Sequence, residues 1–281
     1  MKKLVPSSLD PYQVFNDIAS AKRLERGERL KRIAPEICNY YKNYYDSISD
    51  LSVMYPIGFT GLEKDDLEDC YLGKTNPLNR LLADIIKSQA LPIRNQCQYC
   101  GMGSANTFDH YLPRSIFPEF AVFSLNLLPC CDTCNKHKSN VFINNLEGKT
   151  KRQIINLYYD NLLSERYLNV SILYKGDVPI AEYSLVQTSG ISDSQFCLIK
   201  SHYSKLKLLE RFRNRSPEVL SETQSSIKTH IKAKSIERVR QFLLEEAQRL
   251  RDRFSNNHWK VVLHEGMANS SKFIEDCCLT Q

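Results

Sequence analysis

Two cysteine pairs, Cys97-Gln98-Tyr99-Cys100 and Cys131-Asp132-Thr133-Cys134, carry the strongest chemical signal in the sequence. A two-residue spacer lets both thiolates of a tight turn face one ion, and four such sulfurs make a tetrahedral zinc site that leaves no position for water. The Zn2+ expected on Cys97, Cys100, Cys131 and Cys134 is therefore structural. Cys130 is a rival to Cys131, but its spacing to Cys134 is one residue longer. Unrelated buried thiols and a redox dithiol are the competing readings, and the dithiol needs a strand-to-helix context that neither pair shows. Thirty residues separate Cys100 from Cys131. That exceeds the usual zinc-ribbon gap, so the staple closes a loop that carries something else.

Within and just after that loop stand groups suited to phosphodiester hydrolysis, which needs a base for water and a cation for the charge that builds on the phosphate and the departing oxygen. Thr107-Phe108-Asp109-His110-Tyr111-Leu112-Pro113-Arg114-Ser115 offers an imidazole, His110, that is substantially neutral at cell pH and can accept the proton. Asp109 and Asn135 offer two hard oxygens, a sparse set that suits one Mg2+ or Mn2+ retaining several waters. Neighbours on a strand point to opposite faces, so Asp109 and His110 can serve one phosphate only if the strand is irregular there. Lys138, one turn past Asn135, is either a phosphate contact or a solvated lysine, and Arg114 is the better candidate for holding the substrate backbone. His137 competes with Asn135 for the third position but points a third to half a turn away. Asn135 can also serve as a helix cap, and Asn126 alone would pass for a turn residue.

Taken in order, Cys-x-x-Cys, Asp-His followed by Pro, an Asn before a hydrophobic pair and Cys-x-x-Cys-Asn-x-x-Lys make residues 96 to 140 resemble the HNH (ββα-metal) endonuclease family. Asn135 replaces the His of the third signature position, a variant similar to zinc-bearing junction-resolving endonucleases and to the HNH domain of RNA-guided effectors. The resemblance implies a ββα core, cleavage of DNA to 5′-phosphate ends, His110 as base, Mg2+ on Asp109 and Asn135 at the leaving oxygen, and Asn126 holding the backbone at His110. It also extends to nuclease effectors of bacterial antiphage defence or restriction systems that work beside an ATPase or sensor subunit. A DNA-binding or scaffold module with structural zinc and a silent site is the alternative.

The elements that must position these groups read as α+β: a zinc-stapled core at 91–150 between a helical region at 1–90 and a C-terminal region at 151–281 with helices and a β-hairpin. Asp10-Pro11 and Asn76-Pro77 mark helix starts, the second leading into the stripe Leu78, Leu81, Leu82, Ile85 and Ile86. Pro35 marks a break in the stripe Ile33, Ile37, Tyr41 and Tyr44. Ile154, Ile155, Tyr158 and Leu162 predict a helix, Val170–Tyr174 and Val178–Tyr183 a hairpin about Lys175-Gly176-Asp177, Ser216-Pro217-Glu218 a fresh helix start, and Trp259–His264 a strand.

The 281 residues are 42% hydrophobic and 25% charged, which excludes a disordered tail and supports a sizeable core. Met1-Lys2-Lys3-Leu4-Val5 meets Pro6 before any signal-peptide core develops, so the expectation is a soluble cytoplasmic protein with no membrane segment. Residues 201–260 hold fourteen Lys/Arg and seven Asp/Glu, which concentrates the net +6 of the chain in one segment. Its clusters Arg211–Arg215, Lys228–Lys234 and Arg249–Arg253 alternate with the apolar stripe Ile227, Ile231, Val239, Phe242 and Leu243. They read as a solvated helix face or as a phosphate-tracking surface. No module that reads a base sequence is evident, and homo-oligomerisation stays open.

Overall fold

The computed structural model describes residues 1–146, 149–161, 164–230 and 235–279. They form a mixed α and β chain that divides into two units, Lys3–Asp160 and Asn161–Gln281 with Met1–Lys2. Among the described residues no helix is long and apolar enough to cross a membrane.

In the first unit, α1 (Pro11–Ser20) starts where expected, with the Asp10 side chain accepting the Gln13 N–H at 2.7 Å. The next helix, α2 (Leu24–Asp46), runs through Pro35 instead of breaking there. A proline inside a helix costs about 3 kcal/mol, but burying Leu30, Ile33, Ala34, Ile37, Tyr41 and Tyr44 along one continuous face outweighs that loss. After α3 (Gly61–Leu72), Thr75 caps α4 (Asn76–Lys87), which buries Leu78, Leu81 and Ile85. Strands β1 (Thr107–His110) and β2 (Leu127–Cys130) pair antiparallel, and α5 (Asp132–Lys138) follows directly. A second hairpin of β3 (Ile143–Leu146) and β4 (Lys149–Arg152), which the sequence reading missed, comes next.

The helical region and the core are one unit because α2 packs into the loop between β1 and β2: Tyr41 stacks on Phe123 at 4.3 Å, Tyr44 meets Phe120 edge-on at 5.2 Å, and the Tyr44 hydroxyl donates to Leu125 O at 3.1 Å. The helix predicted at 154–162 is absent from the described part of that stretch, and Leu162 lies outside the described residues. Its apolar residues are buried in irregular backbone, where the Asn156 side chain accepts the Tyr158 N–H, and Asp160 accepts the Asn156 N–H and is gripped by Arg152.

In the second unit, β5 (Leu168–Lys175) and β6 (Val178–Leu185) form the expected hairpin, with Gly176 at φ 61° opening its two-residue turn. A capping box at Ser192 starts α6 (Asp193–Lys205). The following α7 (Leu208–His230) passes through Pro217, so the predicted start at Ser216 is not one; the Ser216 hydroxyl donates to Phe212 O at 2.8 Å inside the helix. The basic segment continues as α8 (Ile236–Arg253), while Ile231, Lys232 and Lys234 lie outside the described residues. Residues 259–264 are helical, not extended, and belong to α9 (Trp259–Asn269), which is buried on nearly every side against β5 and α8. A helix buried all round shows no amphipathic period and reads like a strand from sequence. Last is α10 (Ser271–Cys278).

Candidate functional site

The four cysteines converge. Their sulfurs all lie within 4.8 Å of one another, and those of Cys100 and Cys131 are 3.8 Å apart. A tetrahedron with bonds of about 2.3 Å has edges of about 3.8 Å, so the buried cluster can hold a metal ion such as zinc. Two backbone turns aim the sulfurs. In the first, Gly101 at φ 65° donates to Cys97 O at 2.7 Å, and the Met102 N–H points at the Cys100 sulfur at 3.4 Å. In the second, Cys131 caps α5, receiving the Cys134 N–H on its sulfur at 3.5 Å. A side chain at Gly103 would stand 3.0 Å from Cys131 Cβ. Hydrogen bonds from Cys100, Cys134 and Cys97 hold the Cys131 thiol well below its ordinary range, whereas those with Cys100 and Cys131 push Cys134 up. A cation at the centre resolves this contest by stabilising all four thiolates. Cys130, the rival, is buried outside the cluster, and desolvation raises its pKa.

The cluster ties the first knuckle to the start of α5, just beyond β2, and β1 pairs with β2 in register up to His110↔Leu127, so no irregularity separates Asp109 from His110. The two side chains accordingly take different partners, although both residues line the same cleft. Asp109 points inward and is 2% exposed; its Oδ2 accepts from the Tyr99 hydroxyl at 2.9 Å and its Oδ1 pairs with Lys138 Nζ at 2.9 Å. Burial pushes this carboxyl up, and Lys138 opposes the shift. Lys138 is itself 0% exposed and also donates to His110 O at 2.8 Å, so it braces β1 rather than meeting a substrate phosphate. Asn135 on α5 donates to Thr107 Oγ1 at 3.3 Å and Phe108 O at 3.4 Å. With both Asp109 oxygens engaged and its charge balanced by an ammonium, this donor set does not fit the Mg2+ expected on Asp109 and Asn135.

His110 lines a cleft of about 420 Å3 together with Asp109, Asn135, Tyr71, Arg114 and Asn140, so the structure brings the three expected site residues to one cleft. His137 is not in that lining. The imidazole Nε2 lies 2.9 Å from Ala121 O. A carbonyl can only accept, so Nε2 carries the hydrogen and Nδ1 keeps its lone pair. Desolvation first, with Arg114 and Lys138 adding, lowers the pKa to about 3 and keeps the ring neutral at pH 7. The Tyr71 ring stands edge-on to His110 at 4.5 Å and 79°, and the Arg114 guanidinium sits over the face of the same ring at 5.3 Å. Arg114 Nε is buried with no hydrogen-bond partner among the described residues.

Asn126 is fully buried, as a residue with a backbone-holding role requires, but its partners differ from expectation. Its Oδ1 accepts the Leu112 N–H at 2.7 Å and its Nδ2 donates to Leu112 O at 3.0 Å and Phe120 O at 3.2 Å. It clasps the loop two residues beyond His110, a loop that also delivers Ala121 to the imidazole. Sequence reasoning missed Tyr71, Tyr99 and Ala121. Tyr99 lies inside the first knuckle, where a motif search could flag it; Tyr71 and Ala121 carry no motif and are found only through the fold.

Five arginines of the basic segment in the second unit pair with glutamates. Arg213 pairs with Glu182 at 3.6 Å, Arg215 with Glu218 at 3.0 Å, Arg240 with Glu237 at 3.6 Å, Arg249 with Glu246 at 2.5 Å and Arg251 with Glu265. These contacts favour the solvated-face reading of that segment.

No family model matches the chain, and no solved structure matches it. Among curated proteins it is similar to Protein ea31 of Escherichia phage lambda, with 24% identity over 230 residues that span 75% of this chain and 74% of that protein.

Proposed function

We propose that the chain is a nuclease of the HNH (ββα-metal) type that hydrolyses DNA phosphodiester bonds, with zinc on Cys97, Cys100, Cys131 and Cys134 as its staple. The observation that carries this reading is the pinned imidazole: His110, bound through Nε2 and with Nδ1 unprotonated, lines a cleft that it shares with an Arg114 lacking any carboxylate partner among the described residues. A phosphate entering beside Arg114 brings negative charge to His110, which raises the proton affinity of the ring. Nδ1 then takes a proton from water as the water oxygen attacks phosphorus, the P–O3′ bond breaks, and the departing oxygen is protonated from solvent. The products carry 5′-phosphate and 3′-hydroxyl ends. No step is assigned to Mg2+ or Mn2+, because Asp109 is committed to Lys138 and Tyr99. Service as the effector of an antiphage or restriction system, beside an ATPase or sensor subunit, belongs to the same proposal.

The engagement of Asp109 favours one other reading, a zinc-stapled DNA-binding or scaffold module without catalysis. Supercoiled plasmid incubated with zinc-loaded protein, with Mg2+, with Mn2+ or with neither, separates the two. Wild type is expected to nick the plasmid and His110→Ala to lose about 100-fold or more. Equal cleavage by both removes His110 from the role of base, and a gel shift without nicking by any protein establishes the module.

A further inference from the structure

We propose that Tyr71 is a positioning residue of this cleft, fixing the imidazole of the base and the guanidinium of the phosphate-binding arginine with one ring; the proposal rests on the nuclease reading above. Tyr71 is the penultimate residue of α3, thirty-nine positions before His110 and far from any motif. Its ring has two neighbours in different geometries: it stands nearly perpendicular to the His110 imidazole at 4.5 Å and 79°, and its face carries Arg114 at 5.3 Å.

Each contact supplies something that its partner otherwise lacks. The hydrogen bond from His110 Nε2 to Ala121 O fixes one ring atom but leaves the plane free to swing about it. An aromatic ring packed nearly perpendicular to the imidazole closes that freedom, so Nδ1 keeps its aim. Among the described residues Arg114 has no ion pair, and its Nε is buried without a partner. A guanidinium held by a π face stays charged and keeps its fork for a phosphodiester oxygen, whereas a carboxylate partner would compete with the phosphate. One ring therefore sets the spacing between the atom that takes the proton and the group that holds the phosphate, and reaction rates are sensitive to such spacing at the scale of 1 Å. It also makes α3 part of the active centre rather than a flank.

The test compares zinc-loaded wild type, Tyr71→Leu and Tyr71→Phe, with zinc content and thermal midpoint as controls on folding. On a DNA oligonucleotide, Tyr71→Leu is expected to lower kcat about 10-fold or more and to raise KM, while Tyr71→Phe, which keeps the ring, stays within about threefold of wild type. Nitrogen-15 spectra of the histidines should show one Nε2–H tautomer for His110 in wild type and Tyr71→Phe, and a mixture in Tyr71→Leu. Wild-type kcat and KM in Tyr71→Leu, or equal losses in the Leu and Phe variants, would overturn the proposal. If wild type itself fails to cleave, the nuclease reading falls and the spectra still decide the role of Tyr71: a mixed tautomer in Tyr71→Leu supports it, and an unchanged spectrum rejects it.

Discussion

Lys138 and Asp109 are two opposite charges almost completely removed from water, 2.9 Å apart and 0% and 2% exposed. Such a pair is costly to break from one side, because the survivor keeps its desolvation penalty without the attraction that offset it. Lys138→Ala is therefore expected to lose about 3–5 kcal/mol of unfolding free energy in urea titrations. The double change Asp109→Asn with Lys138→Gln, which removes both charges and keeps hydrogen-bonding groups, should recover most of the loss. A single variant as stable as wild type would show that the pair bears no such strain. The same two residues illustrate what a motif hides. Asp-His and Asn-x-x-Lys are visible in the sequence as groups with chemical potential, but only the fold decides what engages each one. Both Asp109 and His110 line the cleft, yet Asp109 is met by Lys138 and Tyr99 while His110 binds only a carbonyl through Nε2.

The loop between β1 and β2 holds the site from the other side. It is shaped by Asn126 at Leu112 and Phe120, by Tyr41 and Tyr44 beneath Phe123 and Phe120, and by Glu119. Glu119 Oε1 accepts the Ile57 N–H at 3.0 Å, its Oε2 is buried without a partner among the described residues, and burial, with Glu36 adding, pushes its pKa up to about 7. The folded state thus binds this proton more tightly than the unfolded chain does. The stability it contributes is complete below pH 4.5 and is lost as pH rises through 7. Glu119→Gln keeps the acceptor for Ile57 without the charge; it should add up to about 3 kcal/mol at pH 8 and nothing at pH 4, checked by denaturant titration at both.

At this scale the sequence is legible where local chemistry agrees with the final packing. The caps at Asp10 and Thr75, the β5–β6 turn at Gly176 and the knuckles all follow from residue type. It misleads where burial overrides local preference: α2 and α7 absorb Pro35 and Pro217, α9 conceals its period by being buried all round, and Ile154, Ile155 and Tyr158 fill a core without forming a helix. Tyr71 was illegible for a different reason, since its role depends on a contact across thirty-nine residues that no local rule encodes.

For the molecule as a whole, the metal-binding cluster and the surfaces that complete the cleft come from different stretches of chain within one unit. A fragment of residues 91–150 should bind zinc through its four cysteines yet lack Tyr71 under Arg114 and Tyr41 and Tyr44 under the loop. It is expected to take up one zinc per chain by metal analysis while showing no plasmid nicking and weak near-ultraviolet dichroism; a fragment as active as the full chain would show that α2 and α3 are dispensable. Elsewhere in the molecule, Gly266 of α9 faces β5 so closely that a Cβ would lie 2.4 Å from Val170 Cγ1. At that point of contact the hairpin and the helix leave no room for one more methyl group unless the Val170 side chain gives way.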